Sequence, residues 1–181
     1  MEKAFLTTAN ERNRYRQQLV HYYIDQSPNE RRFKELPYQL YHLGATNDGS
    51  LRRLYNTLST DHQMVEHLYQ IDRSGLLQYW RLLIDRQSIL CDGLFTDEMA
   101  IVLDDHSQFW HFYRLTKVFY ALSEFDLAHK MIQRMIPFVQ AQIDPLILLK
   151  FSHLAVVEVS RTDYEYADRL LLFSNAGLHF I

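Results

Sequence analysis

At 181 residues the chain is long enough for one well-buried core or a short stack of repeats, and 48% hydrophobic against 23% charged residues excludes disorder over most of it. A formal charge of −3 excludes general attraction to nucleic acid or to an anionic membrane surface, and a single cysteine, Cys91, excludes an internal disulfide framework. No apolar run approaches the ~20 residues that span a bilayer and the first residues lack a signal-peptide layout, so the expectation is an intracellular protein without membrane insertion.

The glycines and prolines fall where helices should start or stop. A first helix is predicted from about Asn10 to Gln26, with Tyr15, Leu19, Tyr22 and Tyr23 on one stripe at helical spacing. Ser27-Pro28-Asn29-Glu30 then predicts a helix start, with Ser27 as cap, Pro28 at the first helical position and Glu30 closing a capping box. Phe33, Leu36, Leu40 and Leu43 form the apolar stripe of this helix, Pro37 is expected to kink or split it, and Gly44 suits its end. Ala45 to Gly49 reads as a loop, after which Ser50 is expected to cap a short helix from Leu51 to Leu58. Thr60-x-x-Gln63 is a further capping box, opening a helix to about Gln70. Ser74 precedes Gly75 to Ile89, where Leu76, Leu77, Trp80, Leu83 and Ile84 make a broad apolar face.

Asp92-Gly93 marks a break, and Thr96 starts a short helix to about Leu103. Asp105 or Ser107 opens a long helix through Ala121, followed by Glu124 to Val139, Pro145 to Val159 and Asp163 to about Phe173. Strand-type alternation is scarce, so the predicted fold class is all-α, with about nine helices in antiparallel pairs.

Two stretches carry a common pattern. Phe112-x-x-Leu115-x-x-x-Phe119 precedes Leu122-Ser123-Glu124-Phe125-Asp126-Leu127-Ala128, and Phe151-x-x-Leu154-Ala155-x-x-Glu158 precedes Ser160-Arg161-Thr162-Asp163-Tyr164-Glu165-Tyr166-Ala167. Overlaying Ala128 on Ala167 gives a period of about 39 residues, in the range of helix-turn-helix solenoids. A small residue is needed where two antiparallel helices come closest, which suits Ala128 and Ala167. Phe125 and Tyr164 would plug the gap at the turn, and Leu115/Leu154 with Ile132/Leu171 would supply the hairpin core.

This pattern resembles the tetratricopeptide repeat, with departures: Thr116 or Ala155 at the small position of the first helix, Met135 or Ser174 at a later alanine, and a period above the usual 34 or so. Phe33-Lys34-Glu35-Leu36-Pro37-Tyr38-Gln39-Leu40, Leu51-Arg52-Arg53-Leu54 and Leu77-Gln78-Tyr79-Trp80-Arg81 look like the connector that joins the NTPase core to the repeats in nephrocystin-3-like proteins of the NACHT/tetratricopeptide family. The resemblance implies antiparallel helical hairpins stacked as a right-handed superhelix. Residues 1–105 would be a helical connector and residues 106–181 two divergent repeats continuous with it. It implies a protein–protein scaffold, cytoplasmic or ciliary, that is a fragment of a larger signalling protein. The alternative is a regulatory arm controlling an attached NTPase.

Chemistry is not signalled. Neither Gly-x-x-x-x-Gly-Lys-Ser/Thr nor Gly-x-Gly-x-x-Gly occurs. His62/His67 and His106/His111 are five apart and point to diverging helix faces, so no metal or cofactor is expected. Asp104-Asp105-His106 reads as helix-start acids, and only convergence with carboxylates from other helices would make it a metal site. Arg12/Arg14/Arg16, Arg31/Arg32/Lys34 and Arg52/Arg53 read as solvated faces or as a surface for an acidic partner.

In tetratricopeptide arrays the first helix of each hairpin lines a concave groove. Carried over, the partner-binding residues are Trp110, Tyr113, Lys117 and Tyr120 from one repeat and Leu149, Ser152, Val156 and Val159 from the next. The expected occupant is an extended peptide or a helix of another protein. The same aromatics would serve equally as core against the preceding helix. The apolar ending, Leu170 to Phe173 and Leu178 to Ile181, reads as a truncated array able to dimerise.

Overall fold

The computed structural model describes residues 8–86, 106–140 and 144–159. All regular structure among them is helical, in two compact units, Met1–Ile101 and Val102–Ile181. The helices expected from Thr96 to Leu103 and from Asp163 to Phe173 lie outside the described residues.

The first unit contains α1 (Ala9–Ile24), α2 (Glu30–Gly44), α3 (Asp48–Thr60), α4 (His62–Ile71) and α5 (Arg73–Asp85). Helix α2 packs against each of the other four. Its stripe of Phe33, Leu36, Leu40 and Leu43 is buried against Leu51, Leu54 and Leu58 of α3, Met64, Val65 and Leu68 of α4, and Leu76 and Leu83 of α5, all core positions. Each such side chain contributes roughly 1.5–3 kcal/mol of burial. That is why Pro37, whose missing N–H leaves the Phe33 carbonyl without its helical donor, does not split the element. Leu36 and Leu40 on either side of it are held in the same core.

The helix starts differ from expectation in one systematic way: an Asn or Asp oxygen caps where a neighbouring Ser or Thr was expected. Asn29, not Ser27, opens α2; its Oδ1 accepts from Arg32 N at 2.9 Å while its Nδ2 donates to Ser27 O at 2.8 Å, satisfying two backbone groups at once. Asn47, not Ser50, opens α3, accepting from Ser50 N at 2.9 Å, so Asp48 and Gly49 are helical rather than loop. Asp61 replaces Thr60 at α4 and Asp72 replaces Ser74 at α5. Thr60 instead ends α3 by donating its hydroxyl to Asn56 O at 2.8 Å. Helix α1 starts earlier than expected because Thr8 and Glu11 form a reciprocal capping box.

Asp61 and Asp72 are complete junctions of one residue each. The Asp61 N–H closes α3 on Thr57 O at 3.0 Å, its carbonyl accepts from Val65 N at 3.1 Å, and its Oδ1 accepts from Met64 N at 3.0 Å. Asp72 does the same with Leu68 O, Leu76 N and Gly75 N at 2.9, 3.1 and 3.0 Å. Gly75 leaves room for that carboxylate, since a Cβ there would fall 2.9 Å from Asp72 Cγ. Gly44 ends α2 for a similar reason, since a Cβ there would fall 3.3 Å from Leu51 Cα, and not for a left-handed turn.

The second unit contains α6 (His106–Ala121), α7 (Phe125–Gln140) and α8 (Pro145–Val159). Helices α6 and α7 form a hairpin closed by a left-handed Ser123 at φ 64°. Ser123 N donates to Tyr120 O at 3.1 Å and Glu124 N to Phe119 O at 2.9 Å, the paired bonds of a Schellman motif. Ala128 is fully buried on α7, and Leu115, Ile132 and Leu154 are core, as the repeat pattern requires. Phe151 and Leu154 of the second copy are buried like Phe112 and Leu115 of the first; Ser160 to Ala167 lie outside the described residues. Thr116, the departure from a small apolar residue, is accommodated by donating its hydroxyl to Phe112 O at 2.8 Å. Phe125 does not plug the turn. It is 39% exposed, with its ring 6.4 Å from that of Tyr120.

Asp61→Ala removes a cap and an ion-pair partner and is expected to lower the unfolding free energy of the first unit by about 2 kcal/mol in urea denaturation, while Asp61→Asn, which keeps a capping oxygen, costs about half as much. Ser123→Gly relieves the left-handed penalty and is expected to stabilise the hairpin by roughly 0.5–1 kcal/mol, read as an upward shift in the denaturation midpoint.

Candidate functional site

Helix α6 carries the four groove residues expected from it on one connected strip. The Trp110 and Tyr113 rings meet edge to face at 5.6 Å, and Lys117 Nζ lies 5.2 Å from the centre of the Tyr113 ring. Tyr120 continues the strip toward Phe125 at the start of α7. Trp110, Lys117 and Tyr120 are half-buried, whereas Tyr113 is only 8% exposed and stacks on Phe109 at 6.2 Å. Tyr113 therefore supports the strip from beneath rather than offering contact area. The strip forms because positions 110, 113, 117 and 120 recur at helical spacing beside the core row of Phe109, Phe112, Thr116 and Phe119.

On α8, Leu149 is 52% exposed and Ser152 turns its hydroxyl back onto Leu149 O at 2.8 Å. Val156 and Val159 lie on the same helix, and their side chains are outside the described residues. Helix α8 packs against α7.

One pairing in this unit was not legible from sequence. His106 Nδ1 lies 3.9 Å from Asp144 Oδ2, and the His106 ring meets Phe138 edge to face at 6.0 Å. Asp144 caps α8 through its Oδ1, which accepts from Leu146 N at 2.8 Å. The two residues are 38 apart in sequence, so only the packing of α6, α7 and α8 brings them together. Among the described residues no group of three or more His, Cys, Asp or Glu is placed to hold a metal ion.

The first unit holds a second polar and aromatic cluster that the sequence pattern obscured. The stripe read on α1 is half right: Tyr23 is core and Leu19 half-buried, but Tyr15 and Tyr22 are 51% and 56% exposed, and Val20 is buried instead. Arg16 faces inward instead, donating from Nη1 to Gln39 Oε1 at 3.2 Å. The Tyr41 ring of α2 lies 5.3 Å from that of Tyr79 on α5. Burial, and then the Asp72 carboxylate, push the Tyr79 phenol up to about 12. The His42 imidazole is held below its ordinary range by burial and then by the Arg16 guanidinium.

No helix among the described residues is long and apolar enough to cross a membrane. Comparison with family models, with curated proteins and with solved structures returns no match. What the fold defines is an all-helical protein.

Tyr79 yields an alkaline prediction. The unfolded chain loses this proton near the ordinary phenol value of 10.0 and the folded chain only at about 12, so the stability it supports is complete below pH 10 and lost as pH rises toward 12. Tyr79→Phe is expected to flatten the decline in melting temperature above pH 10, measured by circular dichroism.

Proposed function

We propose that this chain is a non-enzymatic protein–protein scaffold whose second unit is a tetratricopeptide-like hairpin array, and that a peptide or helix of another protein docks on the α6 face. The observation that carries this reading is that Trp110, Lys117 and Tyr120 stay half-buried on the first helix of the α6/α7 hairpin, with Trp110 and Lys117 seated on the buried Tyr113 ring. Large flat side chains with few rotors give contact area at low entropic cost, and Lys117 supplies one cation for orientation. The buried Ala128 and the tight Schellman turn support the hairpin as a repeat unit. The resemblance of the α2 and α5 segments to the nephrocystin-3-like connector supports a place in a larger signalling protein, cytoplasmic or ciliary. The apolar stretches Leu170 to Phe173 and Leu178 to Ile181, outside the described residues, are where a second copy would dock.

The test is site-specific photocrosslinking in cells. Benzophenone side chains at positions 117 and 120 are expected to capture another protein, and one at Gln133, on the exposed face of α7, is not. Tyr120→Ala in the chain probed at 117, and Lys117→Glu in the chain probed at 120, each with an unchanged circular dichroism spectrum, are expected to abolish the adduct. Crosslinks from 117 and 120 that run only to residues of this same chain would show the strip to be internal core and end the scaffold reading of this face.

A further inference from the structure

The contact between α1 and α2 differs from the rest of the first unit in its chemistry. On α1 only Val20 and Tyr23 are buried, and one turn before Val20 the inward position is held by Arg16. The Arg16 guanidinium donates to the Gln39 carboxamide at 3.2 Å and lies 5.7 Å from the centre of the Tyr38 ring. Gln39 is buried and donates its own Nε2 to Glu35 Oε2 at 3.2 Å. One turn beyond Tyr38 stands His42, half-buried, with its ring 4.5 Å from that of Tyr38 and 5.3 Å from that of Tyr41. The helix with the least apolar burial in the unit is thus held on α2 partly through a cation whose neighbour is a histidine.

We propose that α1 is a pH-loosened arm: protonation of His42 sets a second cation against the Tyr38 ring that Arg16 also contacts and weakens the docking of α1 on α2. The groups around this contact define the balance. From α1 the facing charge is Arg16. From α2 itself come Glu35, Tyr38 and Tyr41, with Glu35 one helical turn behind Gln39 and engaged by its amide. From α5 comes Tyr79 against Tyr41, uncharged at any pH where His42 titrates. Helix α4 meets α2 elsewhere, with the His67 ring 5.6 Å from Phe33, and α3 approaches at Gly44. Beyond the end of α2, Arg86 and Asp48 pair with each other at 3.8 Å.

The direction follows from linkage. Burial and Arg16 hold the docked His42 below its ordinary value of 6.5, and release of α1 removes the Arg16 charge. The released form therefore binds the proton more tightly, so docking is fully favoured above pH 6.5 and weakens as pH falls through the lowered docked value. Release would uncover the buried Gln39 amide beside Glu35 and the already exposed Tyr38.

Hydrogen exchange on the full chain tests this, with protection factors corrected for the pH dependence of intrinsic exchange. Between pH 7.5 and 5.5 the amides of Val20 to Ile24 are expected to lose protection several-fold relative to those of Leu40 to Leu43. His42→Gln is expected to abolish the pH dependence, Arg16→Gln to reduce it while lowering protection at neutral pH, and His21→Gln, on the outer face of α1, to leave it unchanged. Protection of α1 that does not vary with pH, or a dependence that persists in His42→Gln, overturns the proposal. Nuclear magnetic resonance titration of His42 in the wild-type chain is independent of any variant's folding, and a midpoint at or above 6.5 overturns it as well.

Discussion

The first unit depends on one side chain that holds three pieces of backbone together. Arg32 Nε donates to Tyr23 O at 3.2 Å, at the end of α1, and its Nη1 meets Asp61 Oδ2 at 2.8 Å, at the junction of α3 and α4. Arg32 itself sits in the first turn of α2, the helix against which the other four pack. Both partners are largely covered, at 15% and 20% exposure, so the pair is screened less than a surface ion pair. Asp61 divides its two oxygens between Arg32 and the cap of α4, which links the direction of α4 to the placement of α2.

That arrangement explains why the two units are built differently. In the first, α3, α4 and α5 follow one another through single aspartates, so the chain turns without loops and the short helices close over α2. In the second, α6 and α7 are longer, antiparallel and joined by a left-handed turn, which is the geometry a stacked hairpin requires. The binding proposal is placed on the second unit because Trp110, Tyr113 and Lys117 form a connected row on a hairpin helix, and the pH-sensitive contact on the first because α1 docks there partly through Arg16.

Trp110, Tyr113, Lys117 and Tyr120 came from the tetratricopeptide resemblance, and they share one side of α6 because they recur at helical spacing. The share of each residue was not legible, since Tyr113 is covered by packing that no local pattern encodes. The His106–Asp144 and Arg16–Gln39 contacts were illegible for a related reason. Each joins residues more than twenty positions apart, and each uses polar side chains that a periodicity argument assigns to solvent.

By itself the sequence determined the helical class, most helix lengths to within a turn, and the buried stripes of α2 and of the α6/α7 hairpin. Those properties follow from apolar periodicity and from glycine and proline chemistry, which act within a few residues. Only tertiary structure decided which Asn or Asp became a cap, which face of α1 turned inward and whether Pro37 broke its helix. Each is a competition between local alternatives, separated by about 1 kcal/mol at a cap and about 3 kcal/mol at an interior proline. Burial against a neighbouring helix supplies energies of that size, and the neighbour exists only once the chain has folded.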